Sequence, residues 1–331
     1  MNLKTKYMDL KLKNPIIAGA SPLTTTVDDV KKLEDAGAAA VVMHSLFEEQ
    51  INHESLALDH FLYSNNESYS EALDFLPETG SFNNIDAQQH IDELARIKQS
   101  VDIPVIASIN GVSSGGWVKF VKRFEEAGAD AIELNITYIP TDINMDSSAV
   151  EKMYVDVVKD VCSSCSLPVS VKMNSYFSAP AKMALKLVEA GASGLVLFDN
   201  PVRVDIDLEN LSPIQRANFT DSSRLSETLR WNSILHEKTR ASLCASTGVH
   251  TYEDVLKALM SGANAVQMAS ALLQNGEKYI TVVLKELEEW MREQEYDSVE
   301  QMIGSISLAH TSNPSAYERS SYMQALQSYK R

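Results

Sequence analysis

The chain has 331 residues, with 45 acidic against 29 basic side chains, a formal charge of −16 and only three cysteines. So negative a surface is repelled by nucleic acid and by anionic membranes within a Debye length, and three cysteines make no disulfide framework. No apolar run approaches the roughly 18 residues of a membrane span and Met1 to Asp9 carries no signal-peptide core, so the expectation is a cytoplasmic protein without nucleic-acid or membrane partners.

From the N-terminus, the first strand is expected at Pro15-Ile16-Ile17-Ala18, followed by an amphipathic stretch that ends in Asp35-Ala36-Gly37-Ala38. A second strand, Val41-Val42-Met43, begins only a few residues later. The same phrase returns as Glu126-Ala127-Gly128-Ala129, Glu189-Ala190-Gly191-Ala192 and Met260-Ser261-Gly262-Ala263, each time before an apolar run: Ile132-Glu133-Leu134, Leu195-Val196-Leu197 and Val266-Gln267-Met268. A glycine after an amphipathic run is the residue that closes a helix with φ > 0, so each copy is a helix-to-strand turn. Between the copies stand Pro104-Val105-Ile106-Ala107, Pro168-Val169-Ser170-Val171 and Ser242-Leu243-Cys244-Ala245, which brings the strand–helix units to eight. Near-continuous apolar strands alternating with helices predict parallel pairing buried on both faces, and eight units predict a closed (β/α)8 TIM barrel. An open doubly wound sheet would need an early glycine-rich strand-to-helix turn, which is absent.

A single barrel domain is expected over 1–331, with loop extensions at roughly 45–85 after strand two and 199–225 after strand six. Loops that follow strands gather at the C-terminal face of a barrel, so both read as a lid or pocket wall. Cys162-Ser163-Ser164-Cys165 is a lone CxxC and reads as filler, because zinc and iron–sulfur sites need more ligands. His53 and Glu54, behind Glu48-Glu49, show no recurring ligand spacing, and no metal site is expected. Leu284, Leu287, Trp290 and Met291 recur at helical spacing and predict the eighth helix, with a cap around Val299 to Ile303 and a polar, aromatic tail from Ala309 to Arg331.

Small residues cluster after strands seven and eight. Thr247, Gly248, Ala269 and Ser270 are candidates for the phosphate cradle that this fold builds there from exposed N–H groups. Lys172 ends strand five, and a cation inside a barrel needs a carboxylate or an anionic ligand. Glu133 could be that carboxylate, although strand alternation could also turn it outward. Asn110, Asn135 and Asn200 end strands three, four and six and favour a planar, hydrogen-bonding guest at the same mouth.

Together these residues resemble a known family. Asn14-Pro15-Ile16-Ile17-Ala18-Gly19-Ala20-Ser21, Glu133-Leu134-Asn135, Val171-Lys172, Asn200, Ser246-Thr247-Gly248-Val249 and Gln267-Met268-Ala269-Ser270-Ala271-Leu272 are similar, in order, to the dihydroorotate dehydrogenases. The resemblance implies FMN, with Ala18, Gly19 and Ser21 approaching the flavin, Lys172 near its pyrimidine edge and the phosphate at the strand seven and eight loops. It also implies a homodimer, and an oxidation in which a base removes a proton while a hydride passes to flavin.

The chain departs from the family at the base. Asn135-Ile136-Thr137-Tyr138-Ile139-Pro140 places Tyr138 where the family has Cys or Ser, and His44 stands where it has a strand-two Lys. No clear match to its substrate-binding Asn appears near Pro77 to Gly80. His44, with an ordinary pKa of about 6.5, and Tyr138, whose phenol would need a neighbouring cation, are the candidate bases beside Lys172.

The expected activity is therefore FMN-dependent oxidation of a small dihydro-heterocycle, with dihydroorotate to orotate in pyrimidine biosynthesis as the leading guess. The rivals are a non-redox phosphate-binding barrel, an aldolase or isomerase with Lys172 as Schiff-base amine, and a flavin-binding protein with a different substrate. The electron acceptor cannot be read from the chain: no iron–sulfur ligand set, nicotinamide fingerprint or N-terminal membrane helix is present.

Overall fold

In the computed structural model, the described residues are 1–48, 87–111, 114–200, 202–216, 218–319 and 322–328. The sequence-predicted elements at 49–86, including His53, Glu54 and most of the extension after strand two, lie outside them.

Eight parallel strands close a barrel: β3 (Ile16–Ala18), β4 (Ala40–Val42), β6 (Val105–Gly111), β7 (Ala131–Ile136), β8 (Val169–Met173), β9 (Gly194–Leu197), β12 (Ser242–Ala245) and β13 (Ala265–Met268). Closure comes from β13 pairing with β3 (Met268 opposite Ala18) and β4 pairing with β6 (Val42 opposite Ile106). A two-residue strand, β5 (Leu46–Phe47), adds a short pairing to the upper end of β6. The predicted turns sit where the repeated phrase put them: Gly37, Gly128, Gly191 and Gly262 all have positive φ, between 90° and 120°.

Strand alternation sorts the apolar residues into two layers. Ile17, Val42, Ile106, Val196 and Cys244 fill the lumen. Their neighbours Ile16, Val41, Val105, Leu195 and Leu243 face the helices outside. The helices cover that outer layer with one face each, as Tyr279–Glu293 does with Ile280, Val283, Leu287 and Met291, all wholly buried. Among the described residues no helix is long and apolar enough to cross a membrane.

Among the described residues, two hairpins lie outside the closed sheet. The first, β1 (Thr5–Tyr7) with β2 (Leu10–Leu12), stops the N-terminal end of the barrel. Tyr7, Met8 and Leu12 are at most 2% exposed and join the lumen cluster. The Met8 N–H donates to Ser242 Oγ at 3.0 Å and the Thr5 hydroxyl donates to the Asn264 carbonyl at 2.8 Å, locking the plug to β12 and β13. The second, β10 (Arg203–Asp207) with β11 (Ser212–Arg216), stands in the extension after β9 and exposes Val204, Ile206, Leu208 and Leu211.

Candidate functional site

With one end plugged, the lumen opens, among the described residues, toward the C-terminal ends of the strands, where a cavity of about 520 Å³ lies. Alternation decides what points into it. On β7, Ile132 and Leu134 belong to the outer layer, so Glu133 between them faces inward. By the same parity Lys172 on β8 and Gln267 on β13 face inward too. Glu133 is therefore not turned out of the barrel, and it is the carboxylate that Lys172 needs: Nζ lies 2.8 Å from Oε1, with the two side chains 11% and 1% exposed. The Gln267 amide donates to the other Glu133 oxygen.

A second acid, Asp199, follows β9. Its carboxylate accepts from the Asn135 amide at 3.5 Å. Burial pushes the Asp199 carboxyl above the ordinary range, with Lys172 partly restraining it. For Lys172, burial pulls the ammonium down, but Glu133 and then Asp199 reverse the balance and hold it above its usual value. Lys172 is thus a fixed cation at neutral pH, which suits it to balancing negative charge and not to attacking a carbonyl as a free amine.

Of the residues expected at the mouth, Ser21, His44, Asn110, Asn135, Lys172, Asn200, Thr247, Ala269 and Ser270 line this one cavity. Ala18 and Gly19 are buried just behind the wall, at the end of β3, where the Gly19 N–H pairs with the Met268 carbonyl at 2.9 Å. Gly248 also sits behind the wall: its φ is +89°, and a Cβ there would run into the backbone of Leu225 at the start of the helix Leu225–Leu235. Glycine lets the turn after β12 pack that closely, while Thr247 anchors it by donating to the Phe198 carbonyl at 2.6 Å.

The extension after β9 folds back as a wall. Asn200, Val202 and Thr220 line the cavity, the Asn200 amide donates to the Asn218 carbonyl at 3.0 Å, and the Thr220 N–H donates to Ser270 Oγ at 3.2 Å.

The two candidate bases separate. His44 follows β4, lines the cavity, and is held neutral because burial pulls its pKa below 6.5. Its Nδ1 is buried without a hydrogen-bond partner among the described residues. Tyr138 is not among the lining residues; it leans on the outer core, and its hydroxyl reaches Met145 Sδ at 3.3 Å. Thr137 takes the place at the cavity, with its hydroxyl 3.3 Å from Asn135 Oδ1.

Some of the site escaped the sequence reading. Asp199 stands beside Asn200, and Gln267 is the polar residue in an apolar strand; each had a legible signal in its strand position. His90 had none. It faces inward from the helix Ala87–Ser100, its ring 5.4 Å from that of His44, and burial pushes it down to about 3, with His44 adding to the shift.

Comparison with known proteins follows the same path. The dihydroorotate dehydrogenase family profile matches residues 2–291. A dihydroorotate dehydrogenase B (NAD(+)) catalytic subunit of Thermoplasma acidophilum is 24% identical over 92% of this chain and 98% of its own. The NAD-dependent dihydropyrimidine dehydrogenase subunit PreA of Escherichia coli is 23% identical over 92% of this chain and 76% of its own. A dihydroorotate dehydrogenase B (NAD(+)) catalytic subunit of Pyrococcus furiosus is 24% identical over 92% and 98%.

Proposed function

The chain belongs to the dihydroorotate dehydrogenase family and is an oxidoreductase acting on CH–CH bonds, and on that premise we propose that the cavity holds FMN and oxidises a dihydropyrimidine ring, with dihydroorotate as the leading substrate. One observation carries the reading: a lysine kept charged by Glu133, 2.8 Å away, stands in a cavity whose wall includes the small residues Ser246, Thr247, Ala269 and Ser270.

The donor set fits the group. The volume, about 520 Å³, lies in the range of small-molecule and cofactor sites. The first-turn N–H groups of the helix Ser270–Asn275 have no acceptor within the helix and suit a phosphate, as do the hydroxyls of Thr247 and Ser270. Lys172 and the amides of Asn110 and Asn135 suit the polar edge of a flat heterocycle. When bound, FMN supplies the hydride acceptor that no amino-acid side chain provides.

The residues of the chain do the rest. Lys172 offsets negative charge that develops beside it without needing to move, since Glu133 already positions it. His44, neutral at pH 7, accepts the proton released by the substrate; Nε2 takes it, because Nδ1 is sealed from the cavity. Tyr138, occupied with Met145 outside the cavity, is left as a packing residue. The relatives named as catalytic subunits support delivery of the electrons to a separate partner protein.

The test is spectroscopic. Purified protein should absorb at about 450 nm, release FMN on denaturation, and bleach anaerobically on addition of dihydroorotate. Bleaching by dihydrouracil and not by dihydroorotate would shift the substrate within the class, whereas colourless protein that takes up no FMN would end the proposal. His44→Ala should retain the colour and slow bleaching by ~10²-fold; an unchanged rate would remove His44 as the base.

A further inference from the structure

At the opposite end of the barrel from the cavity, the geometry points to a divalent-cation site of the zinc class built by His236, Glu237 and His310. The three present ligand atoms within 4.8 Å of one another, and no step of the proposed oxidation uses them. His236 and Glu237 end the helix Leu225–Leu235 and lead into β12, which places them among the helix-to-strand connections. His310 arrives from the C-terminal segment. That segment is laid against the ends of two helices by the N–H groups of Gly304, Ile306 and Leu308, which donate to the carbonyls of Leu259, Met260 and Ser233 at 2.9, 2.9 and 3.1 Å.

Three features suit the group to a metal better than to a surface ion pair. First, His310 is already oriented as a ligand. Its Nδ1 lies 2.9 Å from the Gly304 carbonyl, an oxygen that can only accept, so the proton sits on Nδ1 and the lone pair on Nε2. Second, His310 Nε2 is 3.4 Å from Glu237 Oε1. That is longer than the usual N–H···O bond of about 2.7–3.2 Å, yet it matches the edge, about 3.4 Å, of a tetrahedron with ligands at about 2.1 Å. Third, the His236 ring is fixed. It lies between Gly262 and Gly304, where any Cβ would overlap it.

Glu237, 53% exposed, is free to close on the two ordered rings. Two imidazoles and one carboxylate select Zn²⁺ over Mg²⁺ or Ca²⁺, which prefer all-oxygen shells. A fourth position is left for water. Because the ligands come from two parts of the chain, the bound ion would staple the C-terminal segment to the barrel.

The experiment uses the full chain after chelator treatment. Titration with ZnCl₂ should show one equivalent bound, with MgCl₂ giving no comparable signal, and Co²⁺ should develop the visible absorption of a tetrahedral site. His310→Ala and Glu237→Gln, both at exposed side chains, should each weaken Zn²⁺ binding at least ~10-fold and remove the rise in thermal midpoint that Zn²⁺ gives the parent. The double variant Cys162→Ser/Cys165→Ser should bind as the parent does. Absence of a stoichiometric site, binding that survives both ligand variants, or binding lost with the two cysteines would each overturn the proposal.

Discussion

At the C-terminal end of the barrel the lumen buries charge: Lys172 and Glu133 pair there, with Asp199 near enough to act on the lysine. At the N-terminal end the same cylinder is stopped by Tyr7, Met8 and Leu12, apolar bodies with two hydrogen bonds to hold them in place. Each end depends on the other. Charges cost several kcal/mol to bury unless they are paired, and the plug makes the lumen a blind pocket, so that water and ligand enter from one side only. The plug therefore serves stability, and the charged end, at some expense of stability, is where the proposed chemistry is assigned.

That contrast can be broken experimentally. Tyr7→Ala should have the largest effect on folding, about 3–5 kcal/mol by chemical denaturation, because a wholly buried aromatic ring is removed from a packed floor. The rate of flavin bleaching in the folded fraction should stay near that of the parent. A small loss of stability would mean the hairpin merely leans on the barrel. Glu133→Ala should follow, near the lower end of about 3–5 kcal/mol, since it strands a buried ammonium that Asp199 only partly compensates.

The histidine pair beside the cavity sharpens the comparison through pH. Both His44 and His90 have folded-state pKa values below 6.5, His90 at about 3. The unfolded chain takes up the proton first, so their stabilising contribution is whole above pH 6.5 and is lost as pH falls toward the folded values. Between pH 6.5 and about 5, His90 should cost up to about 1.4 kcal/mol per pH unit, with His44 acting in the same direction. Urea midpoints at several pH values would measure this, and His90→Gln should flatten the slope; an unchanged slope would place the titration elsewhere. Smallest of all should be Lys257→Ala. The Lys257–Glu253 pair, 3.5 Å apart and more than half exposed on an outer helix, should change stability by no more than about 0.5 kcal/mol. If Glu133→Ala cost no more than that, burial would not be what distinguishes the inner pair.

Much of the fold was legible before any coordinates. Four glycines in a repeated phrase announced four helix ends, and all four take positive φ. The eight apolar runs became the eight barrel strands, and most residues expected at the mouth line one cavity. What escaped has physical causes. The plug turns through Met8 and Asp9 with φ of 50° and 62°, and the rim hairpin through Leu211 with φ of 49°, so neither shows the Asn-Gly or Asp-Gly signal that marks a hairpin. Tyr138 falls where the resemblance puts the base, yet its ring is not part of the cavity wall and its hydroxyl meets Met145. His90 looked like any residue on an amphipathic helix.

By itself, then, the order of apolar runs, glycines and strand-end polar residues determined a closed barrel, its open face and most of the residues around it, because local backbone preference and strand alternation act over a few positions at a time. Only tertiary structure decided which groups meet: Glu133 with Lys172, His44 with His90, and His236 with a histidine from the C-terminal segment. Those encounters depend on how distant segments pack, and a side chain's charge and reach are given meaning by neighbours that no stretch of sequence contains.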